Sequence, residues 1–275
     1  AGSGTSSIGS SITFNNSGTV EAQTGTISFD SGAATFNDGS QFTGAGQVVI
    51  NSNARFLGGF GTNNNLTLAA GTLSGGDGSI GNPTSEAVMN GNVNWSGGTL
   101  TGRWQVSSGK TLTIQSSGNT KILNGTLTNQ GMIAAQDHLY FQYNTPLNNQ
   151  GVYDLQADVS LLNSYAGGTF NNSGTLRKSM GSGTSSIGGS ITFNNSGTVQ
   201  AQTGTISFDS GAATFNDGTQ FTGAGQVVVA SSANFVGGFG TNNNLTLAAG
   251  TLNGGDGSVG NPTSQAVING NVNWS

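Results

Sequence analysis

Ionisable side chains that could act on a carbohydrate are concentrated between residues 97 and 180 of this 275-residue chain. The only histidine, His138, directly follows Asp137, and Asp154 and Asp158 come about one coil of the predicted fold later. Two carboxyl groups can hydrolyse a glycosidic bond when one donates a proton and the other assists the attack. We therefore consider whether the fold brings these groups onto one surface.

Tyrosines accompany these groups, and their rings offer amphipathic surface on which a sugar ring can stack. The tyrosines of this stretch are Tyr140, Tyr143, Tyr153 and Tyr165. Two interpretations remain open. The first is a carbohydrate-binding or carbohydrate-cleaving surface around His138, and the second is a structural surface that carries aromatic side chains. No single residue is predicted to be catalytic, and we expect the protein not to be an enzyme.

Calcium is the one cofactor that the sequence suggests. The segment Gly75-Gly76-Asp77-Gly78 partly matches the glycine- and aspartate-rich calcium coil, and it occurs a second time around Asp256. In calcium coils, however, this pattern repeats in series along neighbouring coils. Asp77 and Asp256 are therefore weak calcium candidates that are more simply interpreted as turn residues, and we otherwise expect no metal or cofactor.

The composition narrows the range of partners. The chain has 48 Gly, no Cys and only 6% charged residues, against roughly 25% in ordinary globular proteins. Its net charge of −5 includes no basic block, so we expect no nucleic-acid partner. No stretch approaches the roughly 20 apolar residues of a membrane span.

A long internal repeat dominates the sequence. Residues 2–96 return as residues 181–275, an offset of 179, with 12 differences over the 95 positions. We therefore predict that residues 1–180 are the first 179-residue unit of a continuous structure. Residues 181–275 are then the first half of a second, near-identical unit.

A seven-residue glycine spacing lies inside the long repeat. Helix formation is disfavoured because each Gly weakens a helix by roughly 1 kcal/mol, and the segments between the glycines alternate apolar and polar residues as strands do. The segment around Phe42 breaks this alternation, which predicts a bulge or a register shift there. We expect the glycines to form corners with positive φ. They are Gly18, Gly25, Gly32, Gly39 and Gly46, with Gly197, Gly204, Gly211, Gly218 and Gly225 in the second copy.

A second marker sets the length of one coil. Asn-Ser-Gly or Asn-Gln-Gly ends at Gly131, Gly151, Gly174 and Gly197, in steps of 20, 23 and 23. Three seven-residue sides give a coil whose length is close to these steps. We therefore predict an all-β fold, a single-stranded parallel β-helix (β-solenoid) with three short strands per coil; a β-sandwich or propeller does not explain both spacings.

The segments Phe14-Asn-Asn-Ser-Gly-Thr-Val20 and Phe170-Asn-Asn-Ser-Gly-Thr-Leu176 resemble coils of bacterial filamentous-haemagglutinin-like and autotransporter-passenger surface proteins. The resemblance implies a right-handed β-helix, secretion to the cell surface or beyond, and adhesive or scaffolding roles. With its near-identical 179-residue repeats, the chain also resembles giant tandem-repeat extracellular fibre proteins.

These observations predict an extracellular structural fibre or adhesin-stalk segment that acts as a stiff rod. Its expected partners are further copies of the same repeat, in a filament or bundle, and host or matrix glycans. Trp95 and Trp274 recur once per unit and are candidate contacts. The other candidate contacts are His138, Tyr140, Tyr143 and Tyr153.

Overall fold

The computed structural model describes residues 2–76, 85–209, 211–242, 244–255 and 265–275. Within these ranges all regular elements are β-strands and no helix is present. The strands are parallel and stack as a β-solenoid with ~21 residues per coil, which confirms the predicted fold class. The chain divides into two compact units, Ala1–Ala134 and Ala135–Ser275, which are described one at a time.

Short strands, mostly of three or four residues, make up the first unit. They are β1 (Thr5–Ile8), β2 (Thr13–Asn16), β3 (Thr19–Glu21), β4 (Thr26–Phe29), β5 (Ala33–Phe36), β6 (Gln41–Thr43), β7 (Gln47–Ile50), β8 (Ala54–Phe56), β9 (Gly59–Thr62), β10 (Leu66–Leu68), β11 (Thr72–Gly75), β12 (Ala87–Met89), β13 (Val93–Trp95), β14 (Gly98–Val106), β15 (Thr111–Ile114) and β16 (Lys121–Asn129). β17 (Met132–Ala135) contains the division between the units.

Three sides per coil follow from the strand pairing. From β1 to β11, each strand pairs in parallel with the third strand after it, as in β2 with β5 and β4 with β7. The nine-residue strand β14 covers two sides at once, because it pairs with both β11 and β12. Its bend lies at Gly102, whose φ is +75°, a conformation that Gly adopts without a steric penalty.

The segment around Phe42 contains no bulge. Its strand β6 pairs regularly with β3, and Phe42 is fully buried. Thr13 pairs with Ala33, whereas Thr19 pairs with Gln41, so the interval between partners is longer on the second of these sides. The shift therefore lies in the longer corner at residues 37–40, because a corner can take up extra residues without breaking strand hydrogen bonds.

The second unit repeats this architecture. Its strands are β18 (Leu139–Gln142), β19 (Thr145–Asn149), β20 (Val152–Leu155), β21 (Leu161–Tyr165), β22 (Gly168–Asn172), β23 (Thr175–Lys178), β24 (Thr184–Ile187), β25 (Ile191–Asn195), β26 (Thr198–Ala201), β27 (Thr205–Phe208), β28 (Ala213–Phe215), β29 (Gln220–Thr222), β30 (Gln226–Val229), β31 (Ala233–Phe235), β32 (Gly238–Thr241), β33 (Leu245–Leu247), β34 (Leu252–Gly254), β35 (Val267–Asn269) and β36 (Val272–Trp274).

The core of each unit is a narrow stack of apolar side chains. In the second unit, Phe193, Phe215 and Phe235 follow one another on successive coils, with ring centroids 6.0 and 5.0 Å apart. Aromatic rings at such separations pack favourably when they are tilted, offset or edge-to-face. Aromatic side chains of neighbouring coils therefore pack on one another inside the core.

The corner glycines act in two ways. Positive φ occurs at Gly25, Gly32 and Gly39 and at Gly204, Gly211 and Gly218, but not at Gly18, Gly46, Gly197 or Gly225. At Gly197 the reason for glycine is steric, since a Cβ there would overlap the carbonyl oxygen of Gly174 on the preceding coil. Close stacking of corners thus demands glycine even where φ is ordinary.

Candidate functional site

Two of the predicted contact residues lie in the core instead of on the surface. Tyr153 is fully buried beside Phe170, with ring centroids 5.4 Å apart, and burial raises the pKa of its hydroxyl far above the usual value. Trp95 is also fully buried, and its indole N–H donates to the carbonyl of Gly97 over 2.9 Å. Neither side chain is accessible to a partner, so both expectations are corrected.

Trp274 occupies the position in β36 that Trp95 occupies in β13. Each pairs with a leucine on the preceding coil, Leu247 and Leu68 respectively, but Trp95 is also covered by Ile114 of β15. Trp274 is 78% exposed because no described strand stacks beyond β36. Its equivalence to Trp95 indicates a position that is buried where coils stack on both sides of it.

Tyr143 and Tyr165 form an exposed aromatic pair in the second unit. Their ring centroids are 5.1 Å apart, and the side chains are 60% and 62% exposed. The backbone N–H of Tyr143 donates to the carbonyl of Tyr165 over 2.9 Å, so the two corners that carry the rings are hydrogen-bonded together. Tyr140, on β18, is half-buried.

His138 is tied into the corner that follows β17. Its Nδ1 accepts a hydrogen bond of 3.0 Å from the backbone N–H of Ser160, and the backbone N–H of His138 donates to Oδ1 of Asp137 over 2.8 Å. Asp158 lies in the corresponding corner of the next coil, after β20, whereas Asp154 lies within β20 itself. The structure therefore places His138, Asp137 and Asp158 in the same corner on two successive coils, whereas Asp154 lies on a strand.

Asp154 is held in an ion pair. Its carboxylate accepts from Nη2 of Arg177 on the adjacent strand over 2.7 Å and from Nε2 of Gln156 over 3.2 Å. Burial by itself would raise the pKa of Asp154, but the hydrogen bonds, with the charge of Arg177, outweigh it and lower the pKa. A group kept ionised in this way is a poor proton donor for glycosidic cleavage.

Asp158 pairs with a lysine that the sequence analysis did not single out. Lys178 is fully buried, and its Nζ donates to Oδ1 of Asp158 over 2.7 Å, to the carbonyl of Ala157 over 3.1 Å and to Oγ of Ser185 over 3.0 Å. The hydrogen bond from Lys178 is the main cause of the lowered pKa of Asp158. This aspartate therefore compensates a buried charge, a structural role.

The described residues contain no group of three or more His, Cys, Asp and Glu side chains that could hold a metal ion. The calcium candidates Asp77 and Asp256 lie outside the described residues. In the part of the chain that the structure describes, no helix is long and apolar enough to cross a membrane.

An asparagine ladder that the sequence analysis missed runs inside the second unit. Each of three successive coils ends a strand with Asn-Asn, and the second asparagine of each pair is buried: Asn149, Asn172 and Asn195. Nδ2 of Asn149 donates to Oδ1 of Asn172, and Nδ2 of Asn172 donates to Oδ1 of Asn195, both over 2.6 Å. The ladder satisfies buried polar groups that would otherwise destabilise the corner.

The first asparagine of each pair forms a second ladder on the surface. Nδ2 of Asn171 donates to Oδ1 of Asn148, and Nδ2 of Asn194 donates to Oδ1 of Asn171, both over 2.9 Å. Beside this outer ladder is a surface groove of about 330 Å³, which we call the amide groove. Its lining consists of amide and hydroxyl residues: Asn148, Asn149, Gln150, Asn171, Asn172, Ser173, Asn194, Ser196 and Asn216.

A signal for this groove was present in the sequence. The Asn-Asn pairs recur once per coil, at the same corner of the solenoid, so their six amides had to stack. In the sequence these segments serve as markers of the corners and of the coil length. Whether stacked amides turn inward or outward depends on the strand register, which the structure supplies.

Comparisons with known proteins identify no relative. No protein-family model matches the chain, and no curated protein and no solved structure matches it. The β-solenoid architecture is thus established by the structure itself, and function has to be argued from its own geometry.

Proposed function

We propose that this chain is a segment of an extracellular structural protein, a fibre or adhesin stalk in which tandem β-solenoid repeats form a stiff rod. One observation carries the proposal: coils stack across the junction between the two sequence repeats, at residues 180 and 181, with full strand pairing on two of the three sides. Both sides of this junction lie within the second compact unit.

On two of its three sides the junction uses the same contacts as the interior, whereas on the third side β21 pairs with β24 only through Leu161 and Ile187. β22, from the first repeat, pairs with β25, from the second, over all five residues of each strand. β23 pairs with β26 in the same way, and Phe170 packs on Phe193 with ring centroids 5.4 Å apart. Because two of the three sides stack across the junction as they do between neighbouring coils of one repeat, repeats can be added without a new kind of interface.

A structure of this kind suits a mechanical role. Each added coil contributes three parallel strand pairings and one layer of apolar core, and at about 4.8 Å per coil a 179-residue unit extends the stack by roughly 40 Å. The number of repeats would then set the reach of the protein. The proposed role is non-enzymatic and needs no cofactor.

The location and the partners are part of the same proposal. A chain without Cys, with 6% charged residues and with stacked neutral side chains is suited to a secreted fibre, and the resemblance to filamentous-haemagglutinin-like proteins supports the bacterial cell surface. The proposed partners are further copies of the same chain, side by side or end to end.

Measuring the length of engineered arrays that differ in repeat number tests whether the protein forms a stiff rod. Chains with one and a half, two and a half and four and a half repeats would be imaged by electron microscopy. We expect lengths that rise by roughly 40 Å per added repeat. A matched array in which Thr198→Pro removes the N–H that donates to Gly174 should bend or break at that junction. Compact particles whose length does not follow repeat number would contradict the proposal.

A further inference from the structure

The β19 side of the second unit, formed by β19, β22, β25, β28, β31 and β34, carries an uncharged polar row. The paired outward positions along this row are Asn148, Asn171, Asn194, Thr214, Asn234 and Asn253. The amide groove lies along the first three rungs. We propose that the amide groove and the Tyr143–Tyr165 pair together bind an extended neutral glycan.

The hydrogen-bonding capacity of the groove fits hydroxyl groups. An asparagine amide has two N–H donors and an oxygen with two lone pairs, and the outer ladder uses one N–H of Asn171 and one of Asn194. Each rung therefore presents a donor beside an acceptor. Neighbouring sugar hydroxyls, which both donate and accept, complement that pattern.

The charge and spacing of the groove favour a neutral, repeating ligand. All of the lining residues are uncharged, so an ionic ligand would lose hydration without finding a counter-charge. The rungs follow one another at about 4.8 Å, the rise of one coil. Hydroxyl groups on opposite sides of one hexose ring are about as far apart, so one sugar can contact two neighbouring rungs while the glycan chain runs along the strands towards the tyrosine pair.

The tyrosine pair adds a stacking surface beside the start of β19 and β22. Tyr143 precedes β19 and Tyr165 ends β21, just before β22, so the pair lies at the opposite end of β19 and β22 from the groove, roughly 15 Å away. A short oligosaccharide spans that distance. Aromatic rings that are 60% and 62% exposed can stack on the apolar side of one of its sugars.

The backbone beside the tyrosine pair has positive φ at residues other than glycine. Most corners with positive φ use glycine, but here Tyr143, Asn144 and Ala166 have φ of +53°, +58° and +59°. A non-glycine side chain in this region is sterically strained. A strained corner that presents an aromatic ring to solvent indicates a binding role for the ring.

Titration with two neutral hexasaccharides tests the proposal: cellohexaose and N-acetylchitohexaose, followed by NMR and calorimetry on the whole chain. We expect at least one of them to bind. Asn171→Asp should weaken binding at least tenfold, since it replaces donors by a negative charge in the groove. The double variant Tyr143→Ala/Tyr165→Ala should weaken binding by a similar factor.

Asn234→Asp is the matched control, because it makes the same change on the same row outside the groove and should bind like the unmodified chain. Far-UV circular dichroism shows that each variant is folded. The proposal is overturned if neither hexasaccharide binds when present at about 10 mM, which would place the dissociation constant above the millimolar range. It is also overturned if Asn171→Asp and Asn234→Asp bind the hexasaccharide equally well. The lengths of repeat arrays are independent of this outcome.

Discussion

Neighbouring asparagines in this protein have opposite surroundings. Asn172 is buried, and its amide donates to Asn195 over 2.6 Å and to the carbonyl of Thr198 over 3.2 Å. Asn171 has the same chemistry but lies on the surface, beside the amide groove. At the scale of the residue, orientation alone separates a structural amide from one that can contact a ligand.

This difference predicts unequal effects on stability. Asn172→Ala should lower the free energy of unfolding by about 2 kcal/mol, because it leaves the buried amide oxygen of Asn195 without its donor. Asn171→Ala should change it by less than about 0.5 kcal/mol, as surface substitutions usually do. Urea denaturation measures both. Equal effects would mean that the inner ladder does not stabilise the coils.

Acid sensitivity is the second prediction at this scale. The folded-state pKa of Asp154 lies below its usual value, which is about 3.9 in an unfolded chain. Its ion pair with Arg177 therefore contributes stability above that pH, and the contribution is lost as the pH falls through the lower folded-state pKa. Asp154→Asn should lower the melting temperature at pH 7 and reduce its fall between about pH 4 and pH 2.

Glu21→Gln is the control for removing one carboxylate, because the second copy already has Gln200 at the equivalent position. Its melting profile should match that of the unmodified chain. A profile for Asp154→Asn that parallels the unmodified chain throughout would exclude this ion pair as a source of acid sensitivity.

At the scale of the element, the stacked corners tolerate fewer residue types than the strands do. A Cβ on Gly197 would overlap the carbonyl oxygen of Gly174 on the preceding coil, whereas a Cβ on Gly18 has nothing within 4 Å. The two glycines have the same local sequence, Asn-Asn-Ser-Gly-Thr-Val. Only the coil stacked before Gly197 distinguishes them.

This pair provides a prediction with an internal control. Gly197→Ala should destabilise the protein by about 2 kcal/mol or more, because the backbones must separate to accept the methyl group. Gly18→Ala should change stability by no more than about 0.5 kcal/mol. Thermal unfolding distinguishes the outcomes, and similar values for both variants would show that corner packing is looser than the structure indicates.

At the scale of the whole molecule, continuity through the repeat junction is the property with functional consequences. The arrays proposed above provide a second measurement besides length. In a stack stabilised by neighbouring coils, urea midpoints should rise as the first repeats are added and then level off. An unchanged midpoint from the shortest array onward would mean that repeats unfold independently and that stacking across the junction adds no stability.

Much of the fold was predictable because it depends on local spacing. Stacked coils need chain segments of similar length, and the spacing of Gly151, Gly174 and Gly197 along the sequence gives that length directly. The exposure of individual side chains was less predictable. Tyr153 and Tyr165 are both tyrosines of the same stretch, yet one is fully buried and the other is 62% exposed.

By itself, the sequence determined the β-solenoid, the length of one coil and the near-identity of successive repeats, because glycine spacing and apolar alternation act over a short stretch of chain. Only the tertiary structure decided which side of a strand faces the core. A one-residue shift in a corner reverses every following side chain, so the burial of Trp95 and Tyr153 and the exposure of the outer asparagine ladder depend on contacts between coils.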